Sequence, residues 1–238
     1  MVTGRYFPPV QQSSGLPPRL TRATSIRPER SLQMPNPGSD KAQLRRDVLE
    51  LRAERVRSDS TGTVRRRLAA QWRDTLLDLV MGQVSRGETV AAFLPTPSEP
   101  PLHEALTEIH AAGRNVIVPI TLPHRVMHWV AWSPQVETIR SPFGIEEPIG
   151  PRQTTEAFVG CALRLVPALA FDTNGVRLGY GGGYYDAALA EAAAGPNPGA
   201  DVGICFAEEI FPSGTVPAEA HDARVGQICT ERGLTSLS

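Results

Sequence analysis

Apolar side chains recur every three or four residues along the first part of the chain, which predicts amphipathic helices. Leu44, Val48 and Leu51 show this spacing, and Ser39 or Asp40 before them can cap the first turn. A later stretch is rich in Ala, Leu and Glu, a composition that also favours a helix. The predicted helices span residues 40–56, 63–84, 102–112 and 187–194.

Short apolar runs alternate with these helices and predict buried strands. The order strand, helix, strand favours a parallel sheet that is covered on both faces. We therefore expect an α/β fold of three layers, with an open, mostly parallel sheet of the Rossmann-like type. The predicted strands span residues 89–94, 115–119, 127–132, 162–170, 201–206 and 225–230.

A glycine-rich stretch, residues 171–186, lies between a predicted strand and the last predicted helix. Glycines lack a Cβ, so a ligand can approach their backbone N–H groups closely, and the positive end of the following helix favours an anion such as phosphate. Arg177 adds donors suited to phosphate oxygens, and Asp186 is a carboxylate of the kind that often holds Mg²⁺ beside phosphates. The glycines are Gly179, Gly181, Gly182 and Gly183.

Other interpretations of these glycines were weighed against phosphate binding. A glycine cluster alone often marks a tight turn, so the neighbouring Arg, Tyr and Asp side chains carry the phosphate interpretation. The stretch is not a Walker A loop, because no Gly-Lys-Ser/Thr sequence follows. It differs from a dinucleotide-binding loop, because residues 171–177 separate the glycines from the strand and no acidic residue ends a second strand at the expected distance.

The sequences VPALAFD at residues 166–172 and GVRLGYGGGYYD at residues 175–186 resemble the signature of the 5-formyltetrahydrofolate cyclo-ligases, also called methenyltetrahydrofolate synthetases. The resemblance covers about residues 41–233. It implies conversion of 5-formyltetrahydrofolate to 5,10-methenyltetrahydrofolate with ATP and Mg²⁺, releasing ADP and phosphate. The implied mechanism is phosphorylation of the formyl oxygen, followed by attack of the folate N10.

The resemblance also implies roles for individual residues. Arg177 and Tyr184 are expected to act in catalysis, and Asp186 and Asp222 to hold Mg²⁺. The residues expected to contact the folate are Leu94, Glu99, Trp129, Tyr180 and Tyr184. The residues expected to contact ATP are Lys41, Arg45, Arg177, Leu178, Gly179, Tyr180, Gly181, Gly182, Gly183, Tyr184 and Tyr185.

Glu99 follows the first predicted strand, and its position alone favours a solvated loop acid. The resemblance instead implies contact with the pterin ring, whose N–H donors a carboxylate can accept. The chain departs from the family directly after it, where Pro100, Pro101 and Leu102 replace a stretch that usually contains Thr, and again at Gly226, where Asp is usual.

Trp129 and Trp132 lie on opposite faces of their predicted strand, because their separation is odd. One of them is expected in the core, and the resemblance favours Trp129 for stacking on the folate. The resemblance also covers residues 143–148, for which we expect a structural role, and His221, which we expect to orient its loop.

Lys41 is the only lysine among 24 Lys and Arg residues. Such a singleton can arise by chance on a solvated face. Alternatively, the position needs a compact ammonium charge, which a planar guanidinium does not replace. Arg45 lies one helical turn further on the same face, and the resemblance implies that both residues contact ATP phosphates.

The composition of the 238 residues is that of an ordinary globular protein, with 41% hydrophobic residues and a net charge of −1. This balance gives no indication of a nucleic-acid partner, and no apolar run approaches the length of a membrane span. Cys161, Cys205 and Cys229 form no CxxC pair, so we expect buried thiols in a reducing, cytoplasmic setting. We expect a monomer that acts on small molecules, a reduced folate and ATP.

Residues 1–39 differ in composition from the single α/β domain predicted for residues 40–238. They are rich in Pro and Arg and contain Glu29 as their only acid, a composition that predicts disorder. An organelle transit peptide and a basic tail that touches nucleic acid are both open interpretations. The favoured one is that the natural protein starts at Met34.

Two other functions remain open at this point. The chain could be a folate- or nucleotide-binding module that has kept the fold and lost turnover, which an assay of ATP consumption with folate would reveal. It could also be a nicotinamide-dependent oxidoreductase that uses the glycine-rich stretch, which a titration with reduced nicotinamide cofactor would test.

Overall fold

The structure is a computed structural model that describes residues 40–141, 144–196, 199–219 and 222–237. The predicted leader, Phe143 and His221 lie outside the described residues. The helices are α1 Lys41–Ser58, α2 Thr63–Gln83, α3 His103–Ala111, α4 Thr155–Val159 and α5 Tyr184–Ala194. The strands are β1 Thr89–Ala91, β2 Asn115–Leu122, β3 Val126–Trp132, β4 Thr138–Arg140, β5 Glu146–Pro148, β6 Leu163–Pro167, β7 Ala170–Asp172, β8 Arg177–Leu178, β9 Ala200–Ile204, β10 Ile210–Phe211, β11 Gln227–Thr230 and β12 Gly233–Ser236.

Seven strands form a central sheet in the order β12-β11-β9-β6-β1-β2-β3. The strands from β11 to β2 are parallel, whereas β12 and β3 pair antiparallel at the two edges. Both edge strands follow their neighbours through short turns, which join antiparallel but not parallel strands. Two smaller sheets, β10-β7-β8 and β4-β5, lie outside this order. The prediction of an open, mostly parallel sheet is confirmed.

Helices cover both faces of the central sheet. Val90 of β1 belongs to a core cluster with Trp72 of α2 and residues of α3, whereas the next residue, Ala91, belongs to a cluster with Phe158 of α4 and Leu189 of α5. Successive side chains of a strand point to opposite faces, so the predicted three-layer α/β arrangement is confirmed. In the described part of the chain, no helix is long and apolar enough to cross a membrane.

Helix α1 packs on the small sheet that contains β7, β8 and β10. Leu44 and Val48 share a buried cluster with Leu178 and its neighbours in this sheet. Asp40 caps the helix by accepting a hydrogen bond from the backbone N–H of Gln43 at 2.6 Å, as predicted. The start of α1 is therefore held close to the glycine-rich stretch.

The strand predicted over residues 162–170 is wrong in its extent. β6 ends at Pro167, and the chain resumes as β7, which pairs with β8 and β10 in the small sheet. Proline has no N–H to donate to a neighbouring strand, and this favours a break in the ladder here. The first strand is also shorter than predicted. A strand was expected over residues 89–94, and β1 ends at Ala91.

All three cysteines are buried and free, as expected from the sequence. Burial raises the pKa of the Cys161 and Cys229 thiols to about 12 and raises that of Cys205 well above its ordinary value. Because the thiolate is the reactive form, we expect iodoacetamide to leave the native protein almost unlabelled at mildly alkaline pH. Mass spectrometry should find three labels only after unfolding in guanidinium; rapid labelling of the native protein would contradict this.

Candidate functional site

A β-hairpin carries the glycine-rich stretch. β7 and β8 pair antiparallel, and the fully buried Asp172 closes the turn by accepting hydrogen bonds from the N–H groups of Asn174 and Val176, both at 3.0 Å. Gly175 has a φ of 75°, and a Cβ at this position would lie 2.1 Å from a backbone oxygen. The residues between the strand and the glycines, which a dinucleotide-binding loop lacks, therefore form a turn. This turn places Arg177 beside the glycines.

The glycines after β8 leave the start of α5 accessible. Gly183, directly before α5, has a φ of 72°, and among the described residues no side-chain hydrogen bond caps the first N–H groups of the helix. Gly181 has a φ of 97°, another conformation that L side chains rarely adopt. Uncapped N–H groups and the positive end of the helix dipole together favour an anion at this position.

A cavity of about 1000 Å³ opens in front of these glycines. It lies past the carboxyl ends of β1 and β6, where open α/β sheets bind ligands. Its volume is at the upper end of the roughly 300–1,000 Å³ typical of ligand sites. The predicted site residues that line it are Lys41, Arg45, Leu94, Glu99, Arg177, Gly179, Tyr180, Gly181, Gly182, Gly183, Tyr184, Tyr185, Asp186 and Asp222.

Arg177 lines this cavity with only 7% of its surface exposed. Its Nη2 donates to Asp186 at 2.6 Å, and its Nη1 donates to the carbonyl oxygen of Pro167 at 3.2 Å. Its Nε is buried and has no hydrogen-bond partner among the described residues. A buried donor without a partner is costly, so the described residues do not fully satisfy this guanidinium.

Two cations of α1 lie at the same cavity. The Nε of Arg45 donates to the carbonyl oxygen of Gly179 at 2.9 Å, which ties the helix to the glycines. The Nζ of Lys41 lies 2.6 Å from Asp222 and 3.4 Å from Glu219. The structure places Lys41 and Arg45 on the cavity wall that also carries Arg177. The spacing of the two residues on α1 predicted only that they share a face of the helix.

Asp186 and Asp222 also line the cavity, and each is paired with one of these cations. Among the described residues, no group of three His, Cys, Asp or Glu side chains could hold a metal ion. Mg²⁺ is nevertheless often bound by one or two carboxylates together with substrate phosphates and water. The two aspartates therefore fit a Mg²⁺ ion that is held jointly by the protein and a nucleotide.

Glu99 is 7% exposed and lies on the cavity wall rather than in solvent. Its Oε2 accepts a hydrogen bond from the N–H of Thr96 at 2.7 Å, and its Oε1 accepts one from the Tyr180 hydroxyl at 2.6 Å. Pro100 and Pro101 are buried, and they do not displace Glu99 from the cavity. The solvated interpretation of Glu99 is therefore wrong.

Tyr184 and Leu94 complete the predicted folate wall. The hydroxyl of Tyr184 donates to the carbonyl oxygen of Leu122 at 3.0 Å, which fixes its ring between α5 and the end of β2. Leu94, 6% exposed, adds an apolar surface after β1. A flat aromatic ligand could contact these apolar groups while Glu99 accepts its hydrogen bonds.

The prediction that Trp129 stacks on the folate is wrong. Trp129 is fully buried, and its ring stacks on Phe158 with the centroids 4.5 Å apart, while Tyr185 meets it edge-on. Helix α4, which the sequence analysis did not predict, covers this part of β3. Trp132 is buried in the core on the opposite face, and Met127 is the residue of β3 that lines the cavity.

The prediction that Leu178 contacts ATP is also wrong for its side chain. Leu178 is fully buried in the cluster with Leu44 and Val48. Side chains alternate along an extended strand, so Arg177 and Gly179 face the cavity while Leu178 faces α1.

Arg125, Glu146 and Glu147 line the cavity although the sequence analysis gave them no role. Arg125 lies in the tight turn between β2 and β3 with a φ of 62°, and its Cδ would be 3.3 Å from a Cβ at Gly183. Residues 143–148 were expected to be structural only, yet Glu146 and Glu147 of β5 form part of the wall. Arg125 lies in a short turn, and Glu146 and Glu147 lie in a strand of three residues. Neither segment is long enough to show a periodicity from which its place at the cavity could be predicted.

Cations lie beside the start of α5 at strand ends, and this arrangement in an α/β fold is typical of enzymes that act on anionic ligands. A sequence model of the 5-formyltetrahydrofolate cyclo-ligase family matches residues 37–231. The chain belongs to this family, whose members are ATP-dependent ligases.

Individual relatives agree with the family assignment. The 5-formyltetrahydrofolate cyclo-ligase of Mycolicibacterium smegmatis is 32% identical over 160 residues, which cover 63% of this chain and 78% of that protein. A probable 5-formyltetrahydrofolate cyclo-ligase of Schizosaccharomyces pombe is 29% identical over 154 residues, covering 61% and 76%. The solved 5,10-methenyltetrahydrofolate synthetase of Aquifex aeolicus matches with a TM-score of 0.63 and 28% identity, covering 83% of this chain and 92% of that one.

Proposed function

We propose that this protein converts 5-formyltetrahydrofolate to 5,10-methenyltetrahydrofolate in a reaction that consumes ATP and requires Mg²⁺. The observation that carries the proposal is the composition of one cavity. Its wall combines the glycines, Arg177 and the cations of α1 with the buried carboxylate of Glu99. The first group suits a polyphosphate, and the carboxylate suits the N–H donors of a pterin.

The proposed reaction has two chemical steps. The formyl oxygen attacks the γ-phosphorus of ATP, so that a new P–O bond forms while the bond to ADP breaks. N10 then attacks the formyl carbon, the C–O bond breaks, and phosphate leaves with the former formyl oxygen as N10 loses its proton. Phosphorylation is needed because an amide oxygen is otherwise a poor leaving group.

The protein contributes positioning and charge stabilisation to this reaction. Arg177 lines the cavity, donates to the transferring phosphoryl group and is oriented by Asp186. Lys41 and Arg45 neutralise charge on the ATP phosphates, and Tyr184 holds the folate beside them. Asp186 and Asp222 would hold Mg²⁺, which would neutralise further charge on the ATP phosphates.

A spectrophotometric assay tests the proposed activity. Purified protein with 5-formyltetrahydrofolate, ATP and Mg²⁺ should produce the absorbance of methenyltetrahydrofolate, and omission of ATP should abolish it. Binding of both substrates without product would identify a binding module that has lost turnover.

Lys41 offers a test of the ATP side of the cavity. A charge-assisted hydrogen bond contributes about 1.5–3 kcal/mol, and about 1.4 kcal/mol corresponds to a factor of ten. Lys41→Ala should therefore raise the KM for ATP by roughly tenfold to a hundredfold and leave the KM for folate nearly unchanged. Lys41→Arg should recover only part of this loss, because the planar guanidinium places its charge differently.

Arg46→Ala provides the matched control, since Arg46 is an exposed cation of the same helix that does not line the cavity. Its KM for ATP should equal that of the wild type. Amine-directed labelling is an independent measurement, because Lys41 and the α-amino group are the only primary amines of the chain. Absence of protection by ATP and Mg²⁺, with normal kinetics in Lys41→Ala, would remove α1 from the site.

The two aspartates should determine the Mg²⁺ requirement. Asp186→Asn and Asp222→Asn each remove a charged oxygen ligand, so the Mg²⁺ concentration for half-maximal rate should rise sharply in both variants. Asp74→Asn, at an exposed position of α2, is the control and should titrate like the wild type. An unchanged Mg²⁺ titration in both cavity variants would exclude these residues as ligands.

A further inference from the structure

Arg52 is a fully buried arginine on the face of α1 that carries Leu44 and Val48. Arg52 makes a bidentate ion pair with Glu209, which is also fully buried. The Nε of Arg52 donates to Oε1 of Glu209 and its Nη2 donates to Oε2, each at 2.7 Å. Nη2 also donates to the carbonyl oxygen of Ala168 at 2.9 Å. Burial of a charge is expensive unless it is paired in this way, so the bidentate contact accounts for the presence of Arg52 in the interior.

One donor of Arg52 is not needed for this pairing and points toward the cavity. Its Nη1 donates to the hydroxyl oxygen of Tyr180 at 2.7 Å, and Tyr180 lines the cavity although Arg52 does not. The same hydroxyl lies 2.6 Å from Oε1 of Glu99. The guanidinium is thus linked to the proposed folate carboxylate through a single phenol.

The direction of these hydrogen bonds follows from the chemistry of the groups. A guanidinium has donors and no acceptor, so the phenol oxygen must accept from Arg52. The phenol has a single proton, which is then available only for Glu99. The pKa of Tyr180 is raised well above its ordinary value by burial of the hydroxyl and by the charge of Glu99, so the phenol retains that proton.

Glu99 therefore accepts hydrogen bonds on both oxygens, from Tyr180 on Oε1 and from the N–H of Thr96 on Oε2. In this arrangement the carboxylate is held in one orientation, and its remaining lone pairs can accept from a ligand. A rotated Glu99 carboxylate would lose one of these contacts.

We propose that Arg52 is a positioning residue for the folate: through the Tyr180 hydroxyl it holds Glu99 as an acceptor for the N–H donors of the ring. This inference rests on the proposed function of the cavity. Helix α1 would then have two roles in the site. Lys41 and Arg52 are eleven positions apart, or about 16 Å along the helix. One helix then carries groups for the nucleotide at its start and for the folate further along.

The test compares Arg52→Lys, Tyr180→Phe and the double variant, with direct binding of 5-formyltetrahydrofolate by calorimetry beside the kinetics. Arg52→Lys keeps the charge but not the planar fork, and Tyr180→Phe keeps the ring but not the hydroxyl. Each should weaken folate binding about tenfold, the effect of losing one strong hydrogen bond, and Arg52→Lys should leave the KM for ATP within about twofold. The double variant should be no weaker than the poorer single variant, because both break the same link.

Arg55→Lys is the matched control, because Arg55 lies on the next turn of α1, pairs with Glu208 and donates no hydrogen bond to Tyr180 among the described residues. It should bind folate like the wild type. Equal folate affinity in Tyr180→Phe and the wild type, or additive losses in the double variant, would overturn the inference and leave the proposed function intact. Should Arg52→Lys fail to fold, Tyr180→Phe, Glu99→Gln and their double variant decide: additive losses of the two single variants contradict the link. Failure of the wild type itself to bind 5-formyltetrahydrofolate would overturn the proposed function and the inference with it.

Discussion

Replacement of Arg177 by alanine should lower kcat by about 10³-fold or more, the largest loss expected for any single residue of the cavity. Cations that neutralise a transferring phosphoryl group are worth roughly 10³–10⁵-fold in related chemistry, and a lost preorganised donor costs roughly 10²–10³-fold. Arg177 is buried, oriented by Asp186, and has an unpaired Nε. The variant also leaves Asp186 without this partner, so ATP and Mg²⁺ binding should change as well.

Arg177→Lys should recover little activity, because a point charge replaces a fork that contacts Asp186 and Pro167 together. Arg164→Ala controls for the removal of a buried arginine, since Arg164 is 2% exposed and pairs with Asp201 away from the cavity. It should lower the melting temperature while the folded protein keeps its kcat. A kcat in Arg177→Ala within tenfold of the wild type, measured on folded protein, would contradict the assigned role.

Glu209→Gln should cause the largest loss of stability. Removal of one partner of a buried ion pair costs about 3–5 kcal/mol, because the remaining charge is left uncompensated. For a chain of this size, about 2–4 °C of melting temperature corresponds to 1 kcal/mol, so a decrease of roughly 6–20 °C is expected. Calorimetry or circular dichroism would measure it.

The preceding residue provides the matched control for this measurement. Glu208 pairs with Arg55 at a partly exposed position, where an ion pair contributes about 0–1 kcal/mol. Glu208→Gln should therefore shift the melting temperature by no more than about 4 °C. Similar shifts in the two variants would show that the Arg52–Glu209 pair is not the stabilising contact that its burial indicates.

The sequence was sufficient to predict the features that depend on local patterns. Helical spacing placed α1, and the positions of Lys41 and Arg45 on it follow from the 3.6-residue period. The glycines and Arg177 are contiguous in the chain, so their proximity required no knowledge of the fold. The resemblance added Glu99, whose position in the cavity depends on a turn that no periodicity predicts.

Features that depend on distant pairing could not be predicted. Arg52 and Glu209 are 157 residues apart, and an arginine at a helical core position has no local sign of its partner. Trp129 was placed on the correct strand but beside the wrong neighbour, because the five-residue α4 that covers it is too short to show helical periodicity. Arg125 enters the cavity through the geometry of a turn, which its sequence does not specify.

The proposed reaction depends on phosphorylation of the formyl oxygen by ATP, and an isotope experiment can follow that oxygen. The protein would be incubated with Mg²⁺, ATP and 5-formyltetrahydrofolate that carries ¹⁸O in the formyl group, and the released phosphate analysed by mass spectrometry. The proposed steps transfer that oxygen to phosphate, so each methenyltetrahydrofolate formed should be matched by one ¹⁸O-labelled phosphate. Formation of methenyltetrahydrofolate with unlabelled phosphate would contradict phosphorylation of the formyl oxygen.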